Sequence, residues 1–386
     1  MKKQRSARTL SIDDLPVHLI YTIFIRIPIK SLLQLRSVSK SWCKIIDNPV
    51  FALVQYDCGE VEQNTLLYRT KDSTWTTLYS AAGRDIEEAR MIHAANVPMV
   101  KFPATSIYHS CYGFCNGLMY IAENFFNTRR ILVINPLKSQ FTTLPPLPLK
   151  EYYCWNSCWT AIGLGFDSLT KSFKMVYSYQ RSSSVYCTLV HTLGTTSWRE
   201  VPGVPACYCM RPDYKSVFVR GSLHWMMNPS MIENCQGRIL VFDVSKETFE
   251  VILHPELCFE GHSDKLLRLM DIKENLGMLD LSRDEQIDIW VMDYEKKSWG
   301  REYIIDITIV GDEIHVDVSQ VIGVWKQDEI LFYFGEPYKY MKYWSYNMRT
   351  GKIKEREDLN TNAQEAQVYS LKGSLLTISG AFLVRL

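Results

Sequence analysis

Apolar residues fall at helical spacing in one short stretch of the chain and at strand spacing over most of its remaining length. In residues 15–51, Ile20, Ile23, Phe24 and Ile27 recur at the intervals of one helix, behind Pro16 in the first turn and ahead of Pro28, which stops the run. Ser11 and Asp14 bracket a cap for this helix. Ser31 is placed to cap a second helix through Leu32, Leu33 and Leu35. Ser37 is placed to cap a third through Val38, Trp42, Ile45 and Ile46, ended by Asn48-Pro49. Three helices this short cannot bury so many branched side chains among themselves, because modules of this size are marginal without a metal, disulfide or partner. The surplus apolar surface is expected to face another protein.

Beyond residue 60 the pattern changes to short β-rich runs, and a local motif repeats. A strand reaches a turn, and an aromatic or aliphatic anchor stands six residues on. Asn135 to Phe141, Asp243 to Phe249 and Asp293 to Trp299 show it most clearly; Thr192 to Trp198, Asn347 to Ile353 and Arg69 to Trp75 are weaker copies. Successive anchors are 66, 57, 51, 50 and 54 residues apart. A period near fifty built of short strands predicts a kelch-like β-propeller of about four antiparallel strands per blade, with six blades favoured over five or seven. The Asn or Asp at each turn is expected to bond its own backbone, and the anchor to pack the outer strand on its neighbour. Runs such as Ala161 to Phe166, Ser216 to Arg220 and Val321 to Trp325 supply inner strands, whose glycines suit a crowded axis. Gly163-Leu164-Gly165 is no phosphate loop, since it lacks the remaining glycine and a following helix.

Composition narrows the function classes. With 386 residues, 47% of them hydrophobic, and a net charge of +1, the chain can bury a full core and has no bulk attraction to nucleic acid or acidic membranes. Charge is uneven, however. The first 58 residues hold nine lysines or arginines against four aspartates, which favours an acidic surface on whatever the helical stretch meets. No apolar run reaches the roughly 18 residues of a membrane span; the best, Leu19 to Ile29, is broken by Arg26 and Pro28. That run also lacks the small-residue cleavage site of a secretory signal.

Candidate chemistry is sparse. The eleven cysteines are scattered, and Cys111/Cys115, Cys154/Cys158 and Cys207/Cys209 lack the second half-site of a structural zinc, so reduced, largely buried thiols are expected. The eight histidines are dispersed, and His224 beside Trp225 reads as a core histidine. Neither a nucleophile elbow nor an HExxH pair nor a paired-carboxylate motif is present, so no catalytic residue, metal or cofactor is assigned. Tyr338 to Tyr346, with Lys339, Lys342 and Trp344, could imitate a nucleic-acid platform, but strand alternation explains it more simply.

Leu15-Pro16, the run Ile27 to Leu32, the run Arg36 to Trp42, and Ile45-Ile46 with Pro49 resemble the F-box position for position, in its plant form. Tyr112 to Leu118, Ile134 to Pro136, Gly163 to Asp167, Ser197 to Arg199, Val217 to Trp225, Phe242-Asp243 and Asp288 to Met292 are similar, in order, to the F-box-associated region that succeeds it in plant proteins such as the S-locus F-box group. Phe114 departs from the small residue usual there, and the kelch double glycine is missing. The resemblance implies an F-box over residues 10–52 and a propeller over 53–386. It also implies that Leu15, Pro16, Ile27, Pro28, Leu32 and Val38 contact a Skp1-type adaptor, which links the chain to cullin 1 and a RING protein. Trp42 and Ile45 are read as internal packing.

Four-stranded blades also predict where a target would bind. Connections between the second and third strands, and from the outermost strand to the next innermost, emerge on one face; the turns before the anchors lie on the other. That rule gathers Phe125, Phe126, Tyr152, Tyr153, Trp155, Tyr208, Met231, Phe259, Tyr338 and Tyr340 on one rim, with Met210, Met227 and His262. Loop aromatics and methionines are residue types of binding surfaces. The expected function is the substrate-recognition subunit of an SCF-type E3 ubiquitin ligase, non-catalytic, in cytoplasm or nucleus, with a target protein that the sequence does not name. The alternatives are a propeller that binds a glycan or small molecule through Tyr153, Trp155 and Trp159, and a kelch-type copper oxidase.

Overall fold

The computed structural model describes residues 15–58, 65–71, 75–80, 97–103, 110–125, 128–148, 160–182, 185–202, 215–227, 238–255, 267–283, 285–308, 320–325, 328–334, 342–359, 367–378 and 382–383. Two compact units divide the chain, Met1–Glu62 with Ser374–Thr377, and Gln63–Gly373 with Ile378–Leu386.

Three helices are expected in the first unit and four are found among the described residues: α1 (Val17–Ile25), α2 (Ile29–Leu35), α3 (Lys40–Ile46) and α4 (Pro49–Cys58). The caps explain the difference. Asn48 and Pro49 read as a stop, yet Asn48 Oδ1 accepts from the Val50 and Phe51 N–H groups at 2.8 and 3.3 Å, and Pro49 takes the first helical position. Asn followed by Pro is a start signal as much as a stop. Pro16 and Pro28 are themselves the N-cap residues of α1 and α2, without side-chain caps, so Ser31 lies inside α2. Ser39, not Ser37, caps α3, accepting from the Ser41 N–H at 3.2 Å. Ser11 and Asp14 lie outside the described residues. At the end of α1, Arg26 donates to the Thr22 carbonyl at 3.1 Å, where a cation suits the negative pole of the helix.

The second unit is built of antiparallel sheets. β1 (Thr65–Lys71), β2 (Trp75–Ser80) and β3 (Val97–Pro103) share one with the late strand β24 (Gln367–Leu371). The next holds β4 (Ser110–Cys115), β5 (Leu118–Phe125), β6 (Thr128–Asn135) and β7 (Gln140–Thr143), with β25 (Phe382–Leu383) on the edge of β7. A third is made of β8 (Thr160–Asp167), β9 (Ser172–Ser182), β10 (Val185–Thr192) and β11 (Arg199–Val201), and a fourth of β12 (Val217–Val219), β13 (Ser222–Met226), β14 (Arg238–Asp243) and β15 (Thr248–Leu253). The last two are β16 (Leu267–Ile272), β17 (Asn275–Asp280), β18 (Gln286–Asp293) and β19 (Ser298–Asp306), and β20 (Gln320–Trp325), β21 (Glu329–Phe334), β22 (Lys342–Asn347) and β23 (Lys352–Glu355).

The expected six blades of about four strands are not six alike: among the described residues five sheets have four strands and one has five. The first is completed by β24, which pairs with β1 from Thr65↔Leu371 to Arg69↔Gln367, so a strand from the end of the chain closes the sheet begun near its start. This closure also displaces one repeat. Phe249, Trp299 and Ile353 lie on the outermost strands β15, β19 and β23, Phe141 lies on β7, to whose edge β25 is added, and Trp198 immediately precedes β11, whereas Trp75 opens β2, an inner strand of its sheet.

The turn chemistry is as expected where the repeat holds. Asp243 Oδ1 accepts from the Ser245 and Lys246 N–H groups at 3.0 and 2.8 Å, Asp293 Oδ1 from Glu295 and Lys296, and Asn347 Oδ1 from Arg349 and Thr350. Two anchors latch a preceding sheet: Trp198 Nε1 donates to the Pro145 carbonyl at 2.8 Å, and Trp299 Nε1 to the Leu253 carbonyl at 2.9 Å.

Buried side chains fill the spaces between adjacent sheets. One cluster joins Val176 and Val190 to Leu223, Trp225 and Phe242; another joins Leu279 and Ile289 to Ile330, Phe332 and Trp344. Near the axis Tyr120 OH donates to the Ile162 carbonyl and Trp225 Nε1 donates to the same oxygen, at 3.1 and 3.0 Å, so three sheets meet on one acceptor. A Cβ on Gly163 would stand 2.9 Å from Leu223 and Ser216, and one on Gly165 would stand 2.5 Å from Val244. These glycines serve close packing between sheets.

Candidate functional site

The helical unit has its own core. Phe24 stands edge-on to Trp42 and to Phe51, with ring centroids 5.2 and 6.5 Å apart, and Tyr21 stands edge-on to Phe51 at 5.2 Å. Ile20, Ile29, Leu32, Ile46 and Ala52 are buried as well. Phe51 is supplied by α4, so the fourth helix gives the first and third something to pack on.

What the core leaves outside is apolar. Val17 is 61% exposed, Val38 64% and Val50 63%, and Leu19 and Ile23 are 42% and 40% exposed. Pro16, Leu19 and Ile23 succeed one another at i, i+3 and i+7, a second face of α1 beside the buried Ile20 and Phe24. Covering such side chains with a partner is worth about 1 kcal/mol or more each.

The charges around them are mostly positive. Arg26, Lys30, Lys40 and Lys44 are exposed. Arg36 Nε donates to both carboxylate oxygens of Asp47 at 2.8 Å, and this hydrogen bonding raises its pKa above the ordinary arginine value against the opposing effect of burial. The pair ties the end of α2 to the end of α3 and consumes the acidic group that follows Lys40 and Lys44 in sequence.

Among the expected adaptor contacts, Pro16, Pro28 and Val38 are exposed, and Leu15 and Ile27 are partly buried. Leu32 is a correction. It is fully buried, so its side chain has no surface to offer and belongs to the core. Leu19, Ile23, Val17 and Val50 were not legible as surface from apolar spacing alone; the Pro16-Leu19-Ile23 periodicity was the available signal.

A family model described as F-box domain matches residues 12–53, and one described as F-box associated beta propeller domain matches residues 65–376. The chain belongs to the F-box-associated β-propeller family. Among curated relatives, this F-box-associated propeller chain is 24% identical over 368 residues to F-box protein At2g34280 of Arabidopsis thaliana, covering 83% of this chain and 88% of that one. It is 25% identical over 366 residues to F-box protein At5g10340 of the same plant, covering 85% and 78%. A solved structure, the uncharacterized protein lmo1340 from Listeria monocytogenes EGD-e, shares 9% identity over 77% of this chain and 80% of that one, with a TM-score of 0.38. The kelch label expected from the repeat period is not shown by the matching family. F-box domains in general bind Skp1 within SCF complexes and act there as substrate adaptors, and F-box proteins are generally non-catalytic.

On the propeller of this F-box-associated protein, almost all of the expected target residues lie beyond what the structure describes. Phe126, Tyr152, Tyr153, Trp155, Tyr208, Met231, Phe259, Tyr338 and Tyr340 lie outside the described residues, as do Met210 and His262; Phe125 ends β5, pairing with Thr128, and only its backbone is described. Met227 does not belong to a rim. It is buried in the cluster around Trp225 and Phe242.

The opposite set of turns holds a group that sequence reasoning missed. Lys174 Nζ lies 2.8 Å from Asp167 Oδ2 and 2.7 Å from Glu247 Oε1, and donates to the Val244 carbonyl at 3.0 Å; Arg199 also pairs with Glu247. Burial would raise the Asp167 carboxyl and lower the Lys174 ammonium, but hydrogen bonds between them, with Thr170 and Leu169 helping Asp167, reverse both directions. With every partner satisfied internally, the cluster reads as a clamp between sheets. His224 is a core histidine, as expected: its Nδ1 donates to the Val217 carbonyl at 3.2 Å, and burial pushes its pKa down to about 4. Among the described residues no His, Cys, Asp or Glu group is placed to hold a metal ion, and no helix is long and apolar enough to cross a membrane.

Proposed function

We propose that this chain is the substrate-recognition subunit of an SCF-type E3 ubiquitin ligase, docking on a Skp1-type adaptor through its helices and holding a target protein with its propeller. The observation that carries the reading is the apolar surface left outside the core of the helical unit: Leu19, Ile23, Val38 and Val50 stand in water, as do Pro16 and Pro28. Leu15 and Ile27 are partly buried in the same helical unit, and its exposed cations Arg26, Lys30, Lys40 and Lys44 suit an acidic adaptor. The adaptor in turn brings cullin 1 and the RING protein.

Catalysis in this reading is proximity. The chain raises the local concentration of target lysines near the charged ubiquitin-conjugating enzyme and performs no covalent step itself. The target is held by the rim that the sequence predicts for Phe125, Phe126, Tyr152, Tyr153, Trp155, Tyr208, Met231, Phe259, Tyr338 and Tyr340, and the complex works in the cytoplasm or nucleus.

The test is a pull-down with purified Skp1-type adaptor, comparing the full chain with Ile23→Asp and Val38→Asp variants. Binding by the full chain and loss in both variants is expected. Equal binding by all three would overturn the reading of this surface.

A further inference from the structure

The four helices do not complete their unit alone. The same compact unit takes in Ser374–Thr377, more than three hundred residues later in the chain, just after β24 closes the first sheet. Ser374 is fully buried, Leu375 is 1% exposed and Leu376 6%, and the Leu376 N–H donates to Ser374 Oγ at 3.1 Å, which fixes the bend between them. Two adjacent leucines are thus both buried in a stretch without strand or helix. Their burial needs apolar surface on both sides of the segment. Helices of 9, 7, 7 and 10 residues are too small a set to supply a self-sufficient core, so further apolar side chains stabilise them as a partner would.

We infer that Ser374–Thr377 is a strap that forms part of the adaptor-binding module, so adaptor binding by this chain requires its C-terminal segment as well as its F-box. The inference rests on the adaptor reading for its function but not for its structure. It has a regulatory consequence. Modification, cleavage or displacement of a segment far from the F-box in sequence would loosen α1–α4 and lower the chain's occupancy on the ligase without touching the docking surface.

The experiment uses the full chain and two single variants. Leu375→Asp places a charge in the strap; Leu383→Asp places the same charge outside it, eight residues further on in β25, which pairs with β7. Adaptor affinity is read by calorimetry, loosening of residues 15–58 by limited proteolysis, and the propeller by its thermal transition. The expected result is at least a tenfold loss of affinity and faster cleavage within 15–58 for Leu375→Asp, with Leu383→Asp within about twofold of the parent. Affinity and cleavage unchanged in Leu375→Asp would overturn the strap. Equal loss in both variants, with the propeller transition lowered, would also overturn it, since the C-terminal segment would then act through the propeller. If the parent binds no adaptor while Leu375→Asp still opens residues 15–58 to protease, the adaptor reading fails and the strap stands.

Discussion

Lys174 and Asp167 form a buried ion pair at 2.8 Å, their side chains 8% and 2% exposed, and Glu247 of the neighbouring sheet completes it at 2.7 Å. A lysine facing two carboxylates in the protein interior is worth little compared with an apolar replacement of all three, but removing it alone leaves Glu247 to Arg199 and strands the buried Asp167 carboxylate. Lys174→Met should therefore destabilise the propeller by about 3–5 kcal/mol. Lys246→Met, which breaks an exposed pair with Asp243, should leave the urea midpoint unchanged. Equal effects of the two substitutions would refute the clamp.

Leu32 and Val38 separate folding from docking. Leu32→Asp buries a charge in the helical core and should abolish adaptor binding by unfolding α1–α4, seen as rapid proteolysis of residues 15–58. Val38→Asp should weaken binding with the helices intact, because its side chain is in water. Phe51→Ala would behave like Leu32→Asp but less severely, at about 3–5 kcal/mol. A Leu32→Asp chain that resists protease yet fails to bind would restore this leucine to the docking surface.

Local chemistry was legible and long-range closure was not. Asp243, Asp293 and Asn347 could be read as turn residues because each bonds N–H groups two or three positions on. Three of the four helices described in the first unit were equally plain from spacing, and α4 was not. Their limits were not, since Asn48-Pro49 ends one reading and begins another. Burial within the module was ambiguous for the same reason: periodicity says that Leu32 and Ile23 lie on helices, but only packing decides that one is covered and the other is not. Trp75 mimicked an anchor because nothing near it reveals that β24, almost three hundred residues away, takes the innermost place in its sheet. Asp167, Lys174 and Glu247 carry no motif and meet only when turns of two sheets are brought together.

Trp299 tests the latch between sheets. It is half-buried, so the full cost of deleting a core aromatic does not apply, and its hydrogen bond to the Leu253 carbonyl is the specific part. Trp299→Phe should cost about 1 kcal/mol, the net worth of that bond, and Trp299→Ala about 2–3 kcal/mol. Denaturant unfolding of both variants decides it. If phenylalanine costs nothing, the ring packs here without latching.

His224 gives the propeller a pH dependence of predictable sign. Its pKa is about 4 in the folded chain, because burial disfavours the imidazolium more than the hydrogen bond to Val217 supports it, against an ordinary value of 6.5. Between those values the unfolded chain binds a proton that the folded chain refuses, so this ring's contribution is fully present above pH 6.5 and is lost as pH falls toward 4. The loss by pH 5 is about 2 kcal/mol. The depressed carboxyl of Asp167 titrates below this window and does not obscure it. Chemical unfolding of the parent and of His224→Gln at pH 7 and pH 5 isolates the contribution, because other groups cancel in the difference. The variant will start less stable and lose about 2 kcal/mol less over the interval; identical losses in the two chains would mean that the ring is already protonated, or hydrated, in the folded state.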